Sequence, residues 1–222
     1  MLSTRTLKKQ ILSSQDDSTD LQVGFCALKE WSNYRLLKLN IKKCNVISLS
    51  HNNTIIKYKY SATVDNKIIH LERCNKVRDL GVVVDRKLSF SDHITEKVNK
   101  AYSSLGITKQ NFQHVDTDAI VLLNEALVRS HVEYVNTVWS PYRQYLIEEV
   151  EKVQKRATKL VHECKDLPYS DRLKYLKLPT LKYRRHRGGG MIETYKITHG
   201  LYDTAVVPNL MTSQVSHIRG NT

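Results

Sequence analysis

The chain has 222 residues, 41% of them hydrophobic, enough for one sizeable core or two small domains. Thirty-five Lys and Arg against 22 Asp and Glu give a formal net charge of +13, a surplus that favours nucleic acid or an acidic membrane surface as partner. No stretch approaches the roughly 18 apolar residues of a membrane span, and Arg5, Lys8 and Lys9 interrupt the apolar run that a signal peptide needs, so a soluble, intracellular protein, nuclear or cytoplasmic and without a membrane partner, is expected.

In chain order, the pattern predicts a helix over Leu21–Asn33 and then short β-rich runs at Arg35–Leu39, Asn45–Ser50, Ile55–Ser61, Lys67–Leu71 and Val77–Val84. Turn chemistry at His51-Asn52-Asn53 and Asp65-Asn66 separates them. The economical arrangement is a small antiparallel sheet with a helix across it.

From Ser91 the hydrophobic period changes from two to about 3.6. Ile94, Val98, Ala101 and Leu105 form one stripe behind the candidate N-caps Ser91 and Asp92. A second helix is expected over Thr117–Trp139, with Ile120, Leu123, Leu127 and Tyr134 aligned, and Ser140-Pro141 ending it. Its Ile120–Leu123 run is apolar all round, which predicts a central position. A third helix, Leu146–His162, carries Leu146, Val150, Val153, Ala157 and Leu160 on one face and Lys152, Lys155, Arg156 and Lys159 mostly on the others. A short helix over Ser170–Leu176 leads to Pro179, and a last one from Leu181 toward Thr198 is expected to break at Gly188-Gly189-Gly190, because each glycine costs a helix about 1 kcal/mol.

The resulting expectation is an α+β chain: residues 1–90 with the sheet, 91–205 helical, and 206–222 a loose polar tail.

Cation density peaks between Lys152 and Arg187, where twelve Lys and Arg face only Glu163, Asp166 and Asp171, a local surplus of nine (12 − 3). Such self-repulsion is relieved by a polyanion, and neutralising phosphates also releases condensed counterions. Tyr169, Tyr175 and Tyr183 interleave with these cations, either as stacking platforms for bases or as core and rim residues.

Several strings, taken together in order and spacing, resemble the C-terminal half of reverse transcriptases from jockey-like non-LTR retrotransposons. They are Leu36-Leu37-Lys38-Leu39-Asn40-Ile41-Lys42-Lys43-Cys44, Asp79-Leu80-Gly81-Val82-Val83-Val84-Asp85, Leu127-Val128-Arg129-Ser130-His131-Val132-Glu133-Tyr134, Val138-Trp139-Ser140-Pro141, Val153-Gln154-Lys155-Arg156-Ala157-Thr158-Lys159 and Tyr183-Arg184-Arg185. The resemblance spans roughly Asp20 to Leu210. It implies that the segment ending at Cys44 closes a polymerase palm, that Asp79, Leu80, Gly81 and Val82 belong to a primer-grip hairpin, and that the later helices form a thumb-like domain. A thumb binds RNA, DNA or an RNA–DNA hybrid by shape and phosphates, and Lys152, Lys155, Arg156, Lys159, Arg184, Arg185 and Arg187 are the residues expected to do so here. Two departures stand out: Arg35 where the family has a tryptophan, which would loosen palm packing, and Gly189-Gly190 where an Asp follows, which would alter the last basic helix.

The family's polymerases use two metal ions held by palm aspartates, so Mg²⁺ is expected only in the complete polymerase. Counting back from Asp20 places that aspartate pair near Thr4-Arg5, where no carboxylate exists. Asp16-Asp17, lacking flanking apolar strands, reads as a loop or N-cap pair. Cys26, Cys44, Cys74 and Cys164 form no C-x-x-C pair and read as reduced and structural. The nine histidines show no H-E-x-x-H, no G-x-S-x-G is present, and Gly188–Gly190 is followed by Met191 where a P-loop has Lys-Ser/Thr. No catalytic or metal residue is therefore assigned. The expected function is nucleic-acid binding by a reverse-transcriptase fragment lacking its catalytic aspartates, against the alternative of a helical protein-interaction module or a translated remnant of a decayed element.

Overall fold

The computed structural model describes residues 15–50, 58–64, 66–111 and 117–202. The N-terminal segment, the start of the run at Ile55–Ser61 (residues 55–57), the turn at His51-Asn52-Asn53 and the tail at 206–222 lie outside them. The class is α+β, and the chain divides into two compact units, Met1–Lys97 and Val98–Thr222. The division falls inside a helix that begins at Ser91, so the change of period at that residue marks the change of secondary structure and precedes the change of unit.

In the first unit, helix α1 (Gln15–Tyr34) begins earlier than its apolar pattern suggests, with Asp16 and Asp17 in its first turn, where the helix dipole favours carboxylates. Residues 35–40 form no strand: the backbone turns at Leu36 (φ 55°), whose amide donates to Asn33 O while that of Leu37 donates to Ser32 O, closing the helix in a left-handed C-terminal turn.

The expected single antiparallel sheet is instead three two-stranded pairs. Strands β1 (Asn45–Val46) and β4 (Glu72–Arg73) pair in parallel, while β2 (Ser61–Val64) with β3 (Lys67–His70), and β5 (Lys76–Asp79) with β6 (Val82–Asp85), are antiparallel. Strands two to four residues long in separate ribbons cannot present one continuous apolar face. The β-rich run Val77–Val84 reverses at Leu80 (φ 45°) and Gly81 (φ 82°), a hairpin at the place the resemblance implies one. Positive φ at both central residues is the signature of a two-residue type I′ hairpin.

Helix α2 (Ser91–Asn111) buries its expected stripe of Ile94, Val98, Ala101 and Leu105. The segment Thr117–Trp139 is not one helix. It comprises α3 (Thr117–Leu123), a wide π turn (Asn124–Arg129), α4 (Ser130–Glu133) and α5 (Asn136–Trp139), with Val135 in the left-handed region (φ 50°) between the last two. The buried face is Asn124, Val128, Val132 and Trp139, whereas Leu127 and Tyr134 are exposed. No residue of α3 is buried and Leu122 is 67% exposed, so the expected central position fails. Ile120 and Val121 only lean on a small cluster of Val161, Cys164 and Leu176.

Helix α6 (Gln144–Thr158) ends four residues earlier than expected and is followed by a 3₁₀ turn at His162–Cys164 and by α7 (Tyr169–Tyr175). Beyond Pro179, α8 (Leu181–Arg185) runs into a second π turn (His186–Gly190) and then α9 (Met191–Thr198). The triple glycine does not break the chain: the residues flanking it keep right-handed helical φ and ψ, and the extra width of the π turn absorbs it. Among the described residues, no helix is long and apolar enough to cross a membrane.

Candidate nucleic-acid interface

Helix α6 is amphipathic by sequence and by structure. Leu146, Val150, Val153 and Ala157 are buried, so the opposite side must carry the residues at 152, 155, 156 and 159. Lys152, Lys155, Arg156 and Lys159 are all exposed, and their three- and four-residue spacing puts them on adjoining turns. At 1.5 Å per residue the stripe is about 10 Å long. It lies toward the C-terminus, where the helix dipole favours cations. Among the described residues, none of the four lies within ion-pair distance of a carboxylate. Two of them lie against rings: Lys155 Nζ is 5.3 Å from the Tyr169 centroid, and the Arg156 guanidinium 5.4 Å from that of Tyr102.

The polar residues on the buried side hold the stripe in place. Glu151 accepts the amide of Lys182 at 3.2 Å and that of Leu181 at 3.4 Å, together with the Tyr169 hydroxyl, and so anchors the start of α8. Burial first and the Glu151 carboxylate second push the Tyr169 phenol far above its ordinary value. Gln154 donates to Pro179 O at 2.8 Å. Buried Arg172 donates to Leu167 O (2.7 Å), Thr158 Oγ1 (3.1 Å) and Lys155 O (3.4 Å), tying down the α6 C-terminus. Sequence reasoning counted Arg172 in the cationic surplus of Lys152–Arg187 and missed Glu151. Gln154 borders the apolar stripe, whereas Glu151 lies one turn from Lys155, so helical position alone did not mark Glu151 as buried.

The arginines after Tyr183 separate into different environments. Arg187 is exposed, 5.4 Å from the Tyr183 ring. Arg184 donates from Nε to Glu133 Oε1 at 2.7 Å and from Nη2 to Oε2 at 3.2 Å, and this bond raises its pKa. Glu133 also pairs with buried Arg129, which pairs in turn with Glu125. Arg185 is 6% exposed, and burial lowers its pKa against the pull of Glu151 and Glu133. It is not presented to a surface ligand, contrary to the reading of all three arginines as phosphate-binding residues. A cleft of about 320 Å³ is lined by Glu133, Asn136, Arg184 and Gly188. Two of the strings that carry the resemblance, at Leu127–Tyr134 and Tyr183-Arg184-Arg185, thus meet in an internal ion-pair network.

Tyr175 donates to Glu163 at 2.7 Å and Thr117 to the same oxygen at 2.8 Å, bonds that lower the Glu163 pKa. Of the interleaved tyrosines, Tyr169 is half-buried beneath Lys155 and Arg172, and the rings of Tyr175 and Tyr183 are exposed.

In the first unit, Asp79, Leu80, Gly81 and Val82 form the tip of the β5–β6 hairpin, with Leu80 exposed and Val82 buried. The hairpin is held to α2 by Val83 N donating to His93 Nδ1 (3.1 Å), by Arg78–Glu96 (2.6 Å) and by Lys76–Asp92. Asp85 accepts the amides of Phe90 (2.7 Å), Ser89 and Lys87 (3.2 Å each), which organises the entry to α2. Among the described residues, no group of three His, Cys, Asp or Glu is arranged to hold a metal.

The architecture is α+β, with Lys152, Lys155, Arg156 and Lys159 exposed along the C-terminal half and cap of α6. No protein-family description, curated protein or solved structure matches the chain.

Proposed function

We propose that this chain is a nucleic-acid-binding portion of an RNA-directed DNA polymerase of the non-LTR retrotransposon kind, in which the second unit acts as a thumb-like module holding RNA, DNA or their hybrid by its phosphates. The reading is carried by one observation: four exposed cations on adjoining turns of α6, with no carboxylate at ion-pair distance among the described residues. A helix face this charged is stabilised by a ligand that supplies several anionic oxygens about 10 Å along its axis. The β5–β6 hairpin fits the primer-grip role that the resemblance implies, since a tight reversal carries Leu80 outward at its tip. The chain holds nucleic acid and does not extend a primer by itself, and Mg²⁺ belongs to the complete polymerase.

The test is fluorescence anisotropy of a labelled RNA–DNA hybrid across a salt series. Each phosphate neutralised lowers log K by roughly 0.7 to 0.9 per tenfold rise in salt, so replacing Lys152, Lys155, Arg156 and Lys159 by alanine should flatten the slope by about three units. Binding that ignores salt, or a slope unchanged in that variant, refutes the reading.

A protein-interaction module is the second reading, favoured by α9, none of whose residues is buried and whose Met191, Ile192 and Tyr195 are exposed. A stable fold that binds no nucleic acid would support it.

A further inference from the structure

Between Glu30 and Asp65 the chain has 34 residues without a carboxylate, and among them Arg35, Lys38, Lys42, Lys43, Lys57 and Lys59. Arg35, Lys38, Lys42 and Lys43 are exposed, and among the described residues none of these four is within ion-pair distance of a carboxylate. Beside these cations the chain also exposes Tyr34, Leu36 and Leu37. Tyr34 is 82% exposed with the Arg35 guanidinium 5.8 Å from its centroid, and Leu36 is 87% exposed in a left-handed conformation (φ 55°) that an L-residue adopts at a cost. The C-terminal turn of α1 enforces this placement, because the Leu36 and Leu37 amides bond back to Asn33 and Ser32.

From this juxtaposition we propose a second binding surface, at the C-terminal end of α1 and the following Arg35–Lys43 segment, that takes single-stranded nucleic acid by stacking a base on Tyr34 while the lysines follow the backbone. A base offers its π-face only when it is unstacked, so an aromatic platform beside unpaired cations suits a single strand and has little to give a duplex. An anionic membrane is the competing partner for cations mixed with exposed leucine and tyrosine. An interfacial helix, however, sets its cations opposite an apolar face along many turns, whereas here they follow the helix in the 3₁₀ turn Ile41–Lys43 and the irregular chain before it. This surface belongs to the first unit, and the inference stands or falls independently of the α6 stripe.

The experiment compares the full chain on a labelled oligothymidylate of roughly 20 nucleotides, longer than one binding site, and on a blunt duplex of the same length. Tyr34→Ala should weaken single-strand binding by roughly 5- to 100-fold and leave duplex binding unchanged, with Tyr34→Phe behaving as the native protein because stacking needs only the ring. Lys42→Ala with Lys43→Ala should flatten the single-strand salt slope by about 1.4 units, roughly 0.7 for each phosphate left unneutralised. The proposal is overturned if Tyr34→Ala matches the native protein on the single strand, if it loses duplex binding equally, or if the native chain binds phosphatidylserine vesicles and not the oligonucleotide. A variant lacking the four α6 cations that keeps single-strand binding while losing the duplex separates this surface from the thumb-like one.

Discussion

Leu80 occupies a position that favours Asn, since both central residues of the β5–β6 turn have positive φ and a left-handed L-residue costs roughly 1–2 kcal/mol. Leu80→Asn should therefore stabilise the first unit by about 1 kcal/mol, read as a higher urea midpoint. Asp85 makes a different kind of contribution. Burial works to raise its pKa, but the amides of Phe90, Ser89 and Lys87 outweigh burial and leave it below the ordinary aspartate value. A carboxyl whose pKa is lower when folded stabilises the protein fully above its unfolded pKa and loses that contribution as pH falls toward the folded value. Asp85→Asn should accordingly be less stable than the native chain near neutrality, with the gap closing below about pH 4 in acid-unfolding curves followed by circular dichroism.

At the scale of the element, α6 has glutamates in its first half, cations in its second, and a partly polar buried side that fixes it against α7 and α8. Arg172 serves three acceptors from a buried position, so Arg172→Ala should cost on the order of 2 kcal/mol or more and Arg172→Lys should recover little, lacking the planar fork of donors. Thermal melts of the two variants check this. The π turn at His186–Gly190 leads to the opposite sign. A Cβ added at Gly188 meets nothing within 4 Å and its neighbours keep helical dihedrals, so Gly188→Ala should stabilise by about 0.5–1 kcal/mol, where a true helix break would have made alanine harmful. A lower melting temperature in that variant would show that the glycines are needed for a bend.

For the whole molecule, a nucleic acid held by the folded surface and not by the unfolded chain, as proposed above, would stabilise the fold by mass action. Nucleic acid at about 100 times its dissociation constant should add roughly 2.7 kcal/mol, seen as a melting temperature that rises with ligand and falls back as salt is added. A melting curve indifferent to nucleic acid at low salt would remove the basis of the proposed function.

What the chain's own order of residues determined is whatever repeats locally. The change of period at Ser91, the buried stripes Ile94–Val98–Ala101–Leu105 and Leu146–Val150–Val153–Ala157, and the excess of cations after Lys152 could all be read without coordinates, because helical periodicity alone decides which residues share a face. Only tertiary structure decided which of those cations still face solvent. Arg184 is neutralised by Glu133, 51 residues away in sequence, and Arg172 is spent on the backbone of α6 up to 17 residues before it. The same limit hid the division of the expected sheet into three ribbons and the shift of the buried face in Thr117–Trp139, since strand partners and ion pairs are chosen between distant segments. A local pattern says what a residue can offer, and the chain's long-range packing settles to whom it is offered.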